Sequence, residues 1–422
     1  MRTCILAVAA FACLFADSPC EAAAPIAVTG GPSGTVGVWQ ALTIPLLNGG
    51  DPTQTNGDVI QSIMADPVNP GVFYAAAGNN DGRQIKWLRT TDFGDTWVLR
   101  NGTAMNGNPW GFSIDPNPNR APGSAPTLYS PAGYGSFGAW KSTDGAQTWT
   151  RLSGADSAFG PYNAYGATLT DLYHVAVLPD DPPNHLLATY HYGFLNNPDG
   201  GFGESWNGGQ TWVIHPPPIG IGTSHYVMPV SATTWCMIAQ SNNGDNGIWR
   251  TTTAGRVGGT AAANYRDGSI SVAAWSKVSS VEHVHGSFQA WRTAAGVWYA
   301  PGWTDIVKST DQGATWVTLV SGNWPGTFNG VNTSNIVATA THIYANSFVE
   351  TTQARAPLND DTSWDRSYSP PTTANGANPY GTSVAYAASI GSYVILMGDH
   401  TRGIVWRFIE APGDVEFANG FE

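Results

Sequence analysis

Cysteine, positive charge and long apolar runs are what this chain has least of. Of its four cysteines, Cys4, Cys13 and Cys20 crowd into the first twenty residues and Cys236 stands alone beyond them. An internal disulfide is thereby excluded from the rest of the chain, so the fold must rest on burial and hydrogen bonding. Only 11% of residues are charged, and 18 Lys and Arg face 30 Asp and Glu. A surface of that sign repels phosphate backbones, and no nucleic-acid partner is expected. One apolar run, Ile5 to Phe15, is too short for a span of roughly 20 residues, which excludes a transmembrane helix there. With Met1-Arg2 before it and Glu21-Ala22-Ala23-Ala24-Pro25 after it, the run reads as a signal peptide over residues 1–24, cut near Ala23 or Ala24. Removing Arg2, Asp17 and Glu21 leaves 17 basic against 28 acidic residues. Secretion, to the exterior or the periplasm, is the expected destination.

What is abundant is 50 Gly, 29 Pro, 18 Trp and 16 Tyr, a composition of short strands and tight turns. One motif recurs: Thr90-x-Asp92-x-Gly94-x-Thr96-Trp97, Ser142-x-Asp144-x-Ala146-x-Thr148-Trp149, Ser205-x-Asn207-x-Gly209-x-Thr211-Trp212 and Ser309-x-Asp311-x-Gly313-x-Thr315-Trp316. In each, the carboxylate or amide accepts backbone N–H groups within a hairpin, a glycine supplies a positive φ, and the Trp ring packs between sheets. These copies resemble the Asp-box, or BNR repeat, of a superfamily of β-propellers, with Ala146 and Asn207 as departures. The closing tryptophans are 52, 63 and 104 residues apart. The last gap is twice 52, so a blade with a decayed motif belongs in it, and Ile248-Trp249-Arg250 followed by Trp275 fits that blade. Trp364 and Val405-Trp406-Arg407 mark two more.

The expected fold is therefore all-β: a seven-bladed β-propeller over 25–410 with Asp-box hairpins, followed by a tail at 411–422. Its last blade lacks an outer strand, and Val38-Trp39-Gln40-Ala41-Leu42 stands before the first complete blade. That segment is expected to close the ring and remove two exposed sheet edges.

In a four-stranded meander, the start of the inner strand and the end of the second strand share one face of the propeller. The repeat hairpins fall on the other. The first face collects Asp58, Trp110, Asp171, His174, His225, Glu282, His283 and His285 at inner-strand starts. It collects Asp81, Tyr134, His191, Tyr192, Asp245, Trp303, Asp305, Asp399 and His400 at second-strand ends, with Arg83 and Arg402 beside them. His342, counted at the start of a second strand, brings the histidines there to seven of nine. Titratable groups gathered at a channel mouth are candidates for catalysis. Asp58, Asp81, His174, His191, Tyr192, His225 and Glu282 are the catalytic candidates. Arg83, Trp110, Tyr134, His285, Trp303, Asp305, Asp399, His400 and Arg402 are candidates for holding substrate.

The superfamily resemblance covers nearly all of the chain after the leader and implies glycan work: sialidases and xyloglucan-cleaving hydrolases share the repeat, as do sortilin-type receptors and photosystem assembly factors. A sialidase needs an arginine triad and an Arg-Ile-Pro strand, and no such tripeptide occurs here. A hydrolase of the xyloglucanase type needs an acid and a base across the cleft. Tyr74-Ala-Ala-Ala-Gly-Asn-Asn-Asp81-Gly82 is similar in position to that family's Tyr-Ala…Arg-Thr-Asp run but lacks the Arg-Thr-Asp. Asp81 is then a candidate, with Asp58, Glu282 and Asp305 as partners. A lyase of uronate polymers would instead use His174, His191, Tyr192 and His225 to take the α-proton and Arg83 or Arg402 to face the carboxylate. A non-catalytic glycan- or protein-binding propeller predicts the same fold. No cofactor is expected. His283-Val-His285 is the tightest metal-like spacing, and a metal requirement stays open. The expected partner is an extracellular polysaccharide or glycan, met by a monomer.

Overall fold

A computed structural model describes residues 31–42, 44–45, 59–78, 84–100, 103, 105–107, 109–133, 138–155, 172–178, 181–190, 202–215, 223–231, 233–240, 246–252, 275–281, 290–293, 295–302, 305–320, 333–347, 353–365, 368, 370, 379–399 and 404–411. These residues are nearly all β, arranged as seven blades. The N-terminal strand β1 (Gln40–Leu42) comes first in the chain and last in the ring. Blade 1 follows with β2 (Val59–Ala65), β3 (Phe73–Gly78), β4 (Lys86–Thr90) and β5 (Val98–Arg100). Blade 2 holds β6 (Ser113–Ile114), β7 (Leu128–Pro131), β8 (Ala139–Ser142) and β9 (Thr150–Arg151). Blade 3 holds β10 (Leu172–Val177), β11 (Leu186–Tyr190), β12 (Phe202–Ser205) and β13 (Val213–His215).

Blade 4 is β14 (Thr223–Pro229), β15 (Trp235–Gln240), β16 (Gly247–Thr251) and β17 (Trp275–Ser279). Blade 5 is β18 (Trp291–Arg292), β19 (Trp298–Pro301), β20 (Ile306–Ser309) and β21 (Val317–Val320). Blade 6 has three strands, β22 (Thr333–Ala338), β23 (His342–Ser347) and β24 (Gln353–Pro357), and an Arg355–Asp365 bridge stands in for a fourth. Blade 7 is β25 (Pro379–Ala387), β26 (Ser392–Asp399) and β27 (Val405–Ile409), completed by β1 in the order β1-β27-β26-β25. Gln40 pairs with Arg407, Ala41 with Trp406 and Leu42 with Val405.

There is no single central core. Seven apolar clusters occupy seven seams, each shared by two neighbouring blades, and one of them joins Val394, Leu396 and Val405 of blade 7 to Ile60, Phe73 and Leu88 of blade 1. The strand period of two explains this. Along β3, Phe73, Ala75 and Ala77 face the seam with blade 7, while Tyr74 and Ala76 face the seam with blade 2. Both faces are buried, which is why second strands read as continuous apolar runs.

The repeat hairpins behave as their residues dictate. In blade 5, Asp311 accepts the Thr315 amide at 2.9 Å and the Thr315 hydroxyl at 2.6 Å, while Ser309 Oγ accepts the Gly313 amide at 2.8 Å. Gln312 and Gly313 both lie at positive φ, 58° and 78°. Blade 3 keeps the geometry with Asn207, whose Oδ1 accepts the Thr211 amide at 2.9 Å and whose amide donates to Thr211 Oγ1 at 2.9 Å. Each closing tryptophan sits in the seam with the preceding blade: Trp97, Trp149, Trp212, Trp275, Trp316 and Trp364. Trp406 belongs to the third strand of its blade, as Trp87 and Trp249 do, so blade 7 takes its outer strand from the N-terminal segment, as expected. Trp39, next to β1, is the tryptophan that the outer strand of blade 7 brings to the seam with blade 6.

Cations from one blade cap hairpin carbonyls of the next. Arg100 donates to the Gly145 and Asp144 carbonyls at 3.2 and 3.1 Å, and Arg250 to the Gln312 carbonyl at 3.1 Å. Arg407 does the same across the closing seam, donating to the Phe93 carbonyl at 3.3 Å and to Asp95 at 2.6 Å.

Two outcomes follow for stability. Burial alone would raise the Asp311 pKa, but the Thr315 and Ser309 hydrogen bonds outweigh it and hold the carboxyl below its ordinary value. Its contribution is therefore present above the unfolded pKa and lost as pH falls through the folded one. Asp311→Ala is expected to lower stability by about 1–2 kcal/mol at pH 7 in urea unfolding. Asp311→Asn should cost under about 0.5 kcal/mol, because Asn207 shows that an amide fills the position. Arg407→Met is expected to cost about 3 kcal/mol, since it strands partly buried acceptors on both sides of the closing seam. An unchanged unfolding midpoint for that variant would contradict the closure.

Candidate functional site

Strand register fixes which side chains share the channel mouth. Val59 pairs with Gly78, Leu172 with Tyr190, Thr223 with Gln240, Thr333 with Ser347 and Pro379 with Asp399, so inner-strand starts and second-strand ends meet on one face. The repeat hairpins follow the third strands and turn on the opposite face.

One or two residues in from that mouth, five inner strands carry a β-bulge at the same position, between Ile60 and Ser62, Leu172 and His174, Ser224 and Tyr226, Thr333 and Asn335, and Pro379 and Thr382. A bulge inserts one unpaired residue and re-aims its neighbours, and bulges are common beside binding sites. Four of the residues just past a bulge, Ser62, His174, Tyr226 and Asn335, line a small recess in the channel, with Trp110 and Phe112 of blade 2 beside them. Gly111 and Gly381 permit the close approach of inner strands here. A Cβ on Gly111 would lie 2.7 Å from His174 Cδ2, and one on Gly381 would lie 2.7 Å from the Ile63 amide nitrogen.

His174 is buried, and burial pushes its pKa down to about 3. The imidazole is thus neutral at ordinary pH, with one donor and one acceptor nitrogen. Nε2 lies 3.4 Å from Ser113 Oγ, Nδ1 has no hydrogen-bond partner, and the ring packs on Tyr226 at 4.5 Å. Trp110 is also buried, with its ring 5.0 Å from Tyr173. It is a wall of the channel, not an exposed platform. Asp399 ends β26 on the mouth face but is fully buried, accepting Trp406 Nε1 at 3.2 Å. Asp305 is half-buried between β19 and β20. His225 is the bulged residue of β14, and its side chain lies outside the described residues. So do Asp58, Asp81, Arg83, Tyr134, Asp171, His191, Tyr192, Asp245, Glu282, His283, His285, Trp303, His400 and Arg402.

His342 corrects the histidine count. It opens β23, and a second strand begins on the hairpin face, not at the mouth. There its Nδ1 is 2.9 Å from Thr341 Oγ1 and 3.6 Å from the buried Glu410. His185 is on that face too, fully buried and 2.6 Å from Glu204. Sequence reasoning missed Ser62, Tyr226 and Asn335. Their signal was a polar break near the start of an apolar strand, as in Val59-Ile60-Gln61-Ser62-Ile63. Among the described residues no cluster of three or more metal-ligating side chains occurs.

The class defined by this architecture is the seven-bladed β-propeller. The chain matches no family model. It is 28% identical over 236 residues to a xyloglucanase of Paenibacillus sp, a match covering 50% of this chain and 22% of that protein. The chain spans about a quarter of the length of the curated relatives it matches. Among solved structures it is similar to an ancestral GH74 enzyme, with a TM-score of 0.54 and 14% identity over 84% of this chain and 48% of that one. It is similar to a streptogramin B lyase as well, with a TM-score of 0.54 and 12% identity over 87% of this chain and 96% of that one. These likenesses establish the fold, and the relatives include glycoside hydrolases.

The buried imidazole yields a pH prediction. The folded pKa of His174 lies below its unfolded value of 6.5, so the unfolded state takes the proton more readily and stability falls as pH drops below 6.5. Each pH unit of that range is worth up to about 1.4 kcal/mol. His174→Phe should flatten the loss measured by urea unfolding between pH 6.5 and 4.5. An identical slope in both proteins would place the imidazole in water.

Proposed function

We propose that the protein is a secreted glycan-acting propeller of glycoside hydrolase type, working on a polysaccharide at the mouth of its channel. The observation that carries this reading is the sequence match to a xyloglucanase over half of the chain. The strand register supports it. Asp58 directly precedes Val59, and Asp81 follows three residues after Gly78, the partner of Val59. Two carboxylates thus flank paired strand ends of one blade, a source for the acid and base that glycosidic cleavage needs. Glu282 and Asp305 of blade 5 are the partners available from elsewhere in the ring. Tyr134, Tyr192 and Trp303, which the sequence assigns to the ends of second strands, would supply aromatic faces for sugar rings.

Elimination on a uronate polymer is the second reading. It would set His191, Tyr192 and His225 as proton acceptors and Arg83 or Arg402 against the carboxylate, and it is favoured only by the histidine content of the mouth.

A panel of neutral and uronic polysaccharides separates these readings. The expected result is new reducing ends from a neutral β-glucan without absorbance from an unsaturated uronate. Asp58→Asn or Asp81→Asn should then lower kcat by about 10²-fold or more, as loss of a general acid or base does. Absorbance rising with the reducing ends would replace hydrolysis by elimination. Retention of polysaccharide without cleavage would leave a binding propeller.

A further inference from the structure

Among the described residues that line the recess there is no Asp, Glu, Lys or Arg. Its polar residues are Ser62, His174, Tyr226 and Asn335, and Trp110 and Phe112 stand beside them. Ser62 Oγ donates to the Pro109 carbonyl at 2.7 Å, which spends its proton within the frame. His174 is different: it lines the recess, it is buried, and its Nδ1 has no partner. A buried polar atom left in that state is costly unless something fills the position.

An ion is the wrong occupant, because a charge moved into a buried, uncharged lining loses its hydration without gaining a counter-charge. An uncharged hydroxyl suits it, since it both donates and accepts and so matches either tautomer of a neutral imidazole. Gly111 and Gly381 let neighbouring inner strands pack closely at this level.

We propose that the ring of His174, Tyr226 and Asn335 is a subsite for a hydroxyl or hydroxymethyl group of a neutral sugar unit, bonded to His174 Nδ1. It rests on the glycan reading above and adds to it a preference for uncharged over uronic units. His174 is in this account a binding residue, not a proton acceptor.

The test is direct binding of methyl β-glucoside and of glucuronate, followed by calorimetry or NMR titration on the full chain, with polysaccharide retention and cleavage measured in parallel. Saturable binding of the glucoside is expected, at least 10-fold tighter than that of glucuronate. His174→Phe should weaken it fivefold or more, and His174→Gln, which keeps a donor and an acceptor, should recover part of the loss. Unfolding midpoints at pH 7 confirm that both variants are folded. Glucuronate binding as tightly as the glucoside would overturn the proposal, as would glucoside binding indifferent to His174→Phe. If polysaccharide is still held or cleaved in either case, the glycan reading survives and the subsite does not. If neither sugar nor polysaccharide binds, both fall.

Discussion

Arg407 sits where the two ends of the ring meet, and closure of the ring rests on what it holds. Its guanidinium donates to the Phe93 carbonyl and Asp95 of blade 1 and to the Ser33 carbonyl of the N-terminal segment. Ser33 in turn donates twice to Asp95, at 2.7 and 2.6 Å. Burial alone would raise the pKa of Asp95, but the Ser33 bonds and the Arg407 charge hold it below the ordinary value. The side chain of Arg407 is only 4% exposed, so this pair is screened far less than a surface salt bridge. It ties Arg407 to two pieces of chain more than 300 residues before it. Without that tie, blade 7 and blade 1 would each expose an apolar face that no other element covers.

The same logic, repeated at lower stakes, runs round the molecule. Arg100 and Arg250 cap hairpin carbonyls of following blades, and second-strand tyrosines cross seams in the same direction. Tyr129 donates to the Pro183 carbonyl at 2.9 Å, and Tyr299 to Asp361 at 2.8 Å. In blade 4 the corresponding place is taken by Cys236, whose sulfur lies 3.9 Å from the Gly313 carbonyl. Burial pushes that thiol up to about 12, so it behaves as a packed apolar group and not as a nucleophile. A chain with so few charges therefore places several of them between blades, where each satisfies backbone groups that would otherwise be buried unpaired. The hairpin face carries this mechanical function.

Much of the ring was legible in the sequence because its determinants are local and repeated. The hairpin motif is contained within eight residues, and one tryptophan per blade fills each seam, so their spacing counts the blades. The missing outer strand of the last blade was legible too, and the pairing of Gln40 with Arg407 supplies it from the N-terminal segment. His342 misled because a strand start lies on opposite faces for first and second strands. The channel lining was barely legible, since the residues that form it come one per blade and owe their direction to bulges. A bulge leaves in sequence only a polar residue interrupting an apolar strand. Long-range partners such as His185 with Glu204, or Glu410 with Tyr344, carry no local signal at all.

Ring closure by the N-terminal strand is tested most directly by hydrogen exchange at the amides of β1, read beside those of β26. Protection of Gln40 to Leu42 at the level of the central strand of blade 7, lost only on global unfolding, is the predicted result. Exchange at the rate of an open chain in β1, with β26 still fully protected, would contradict it.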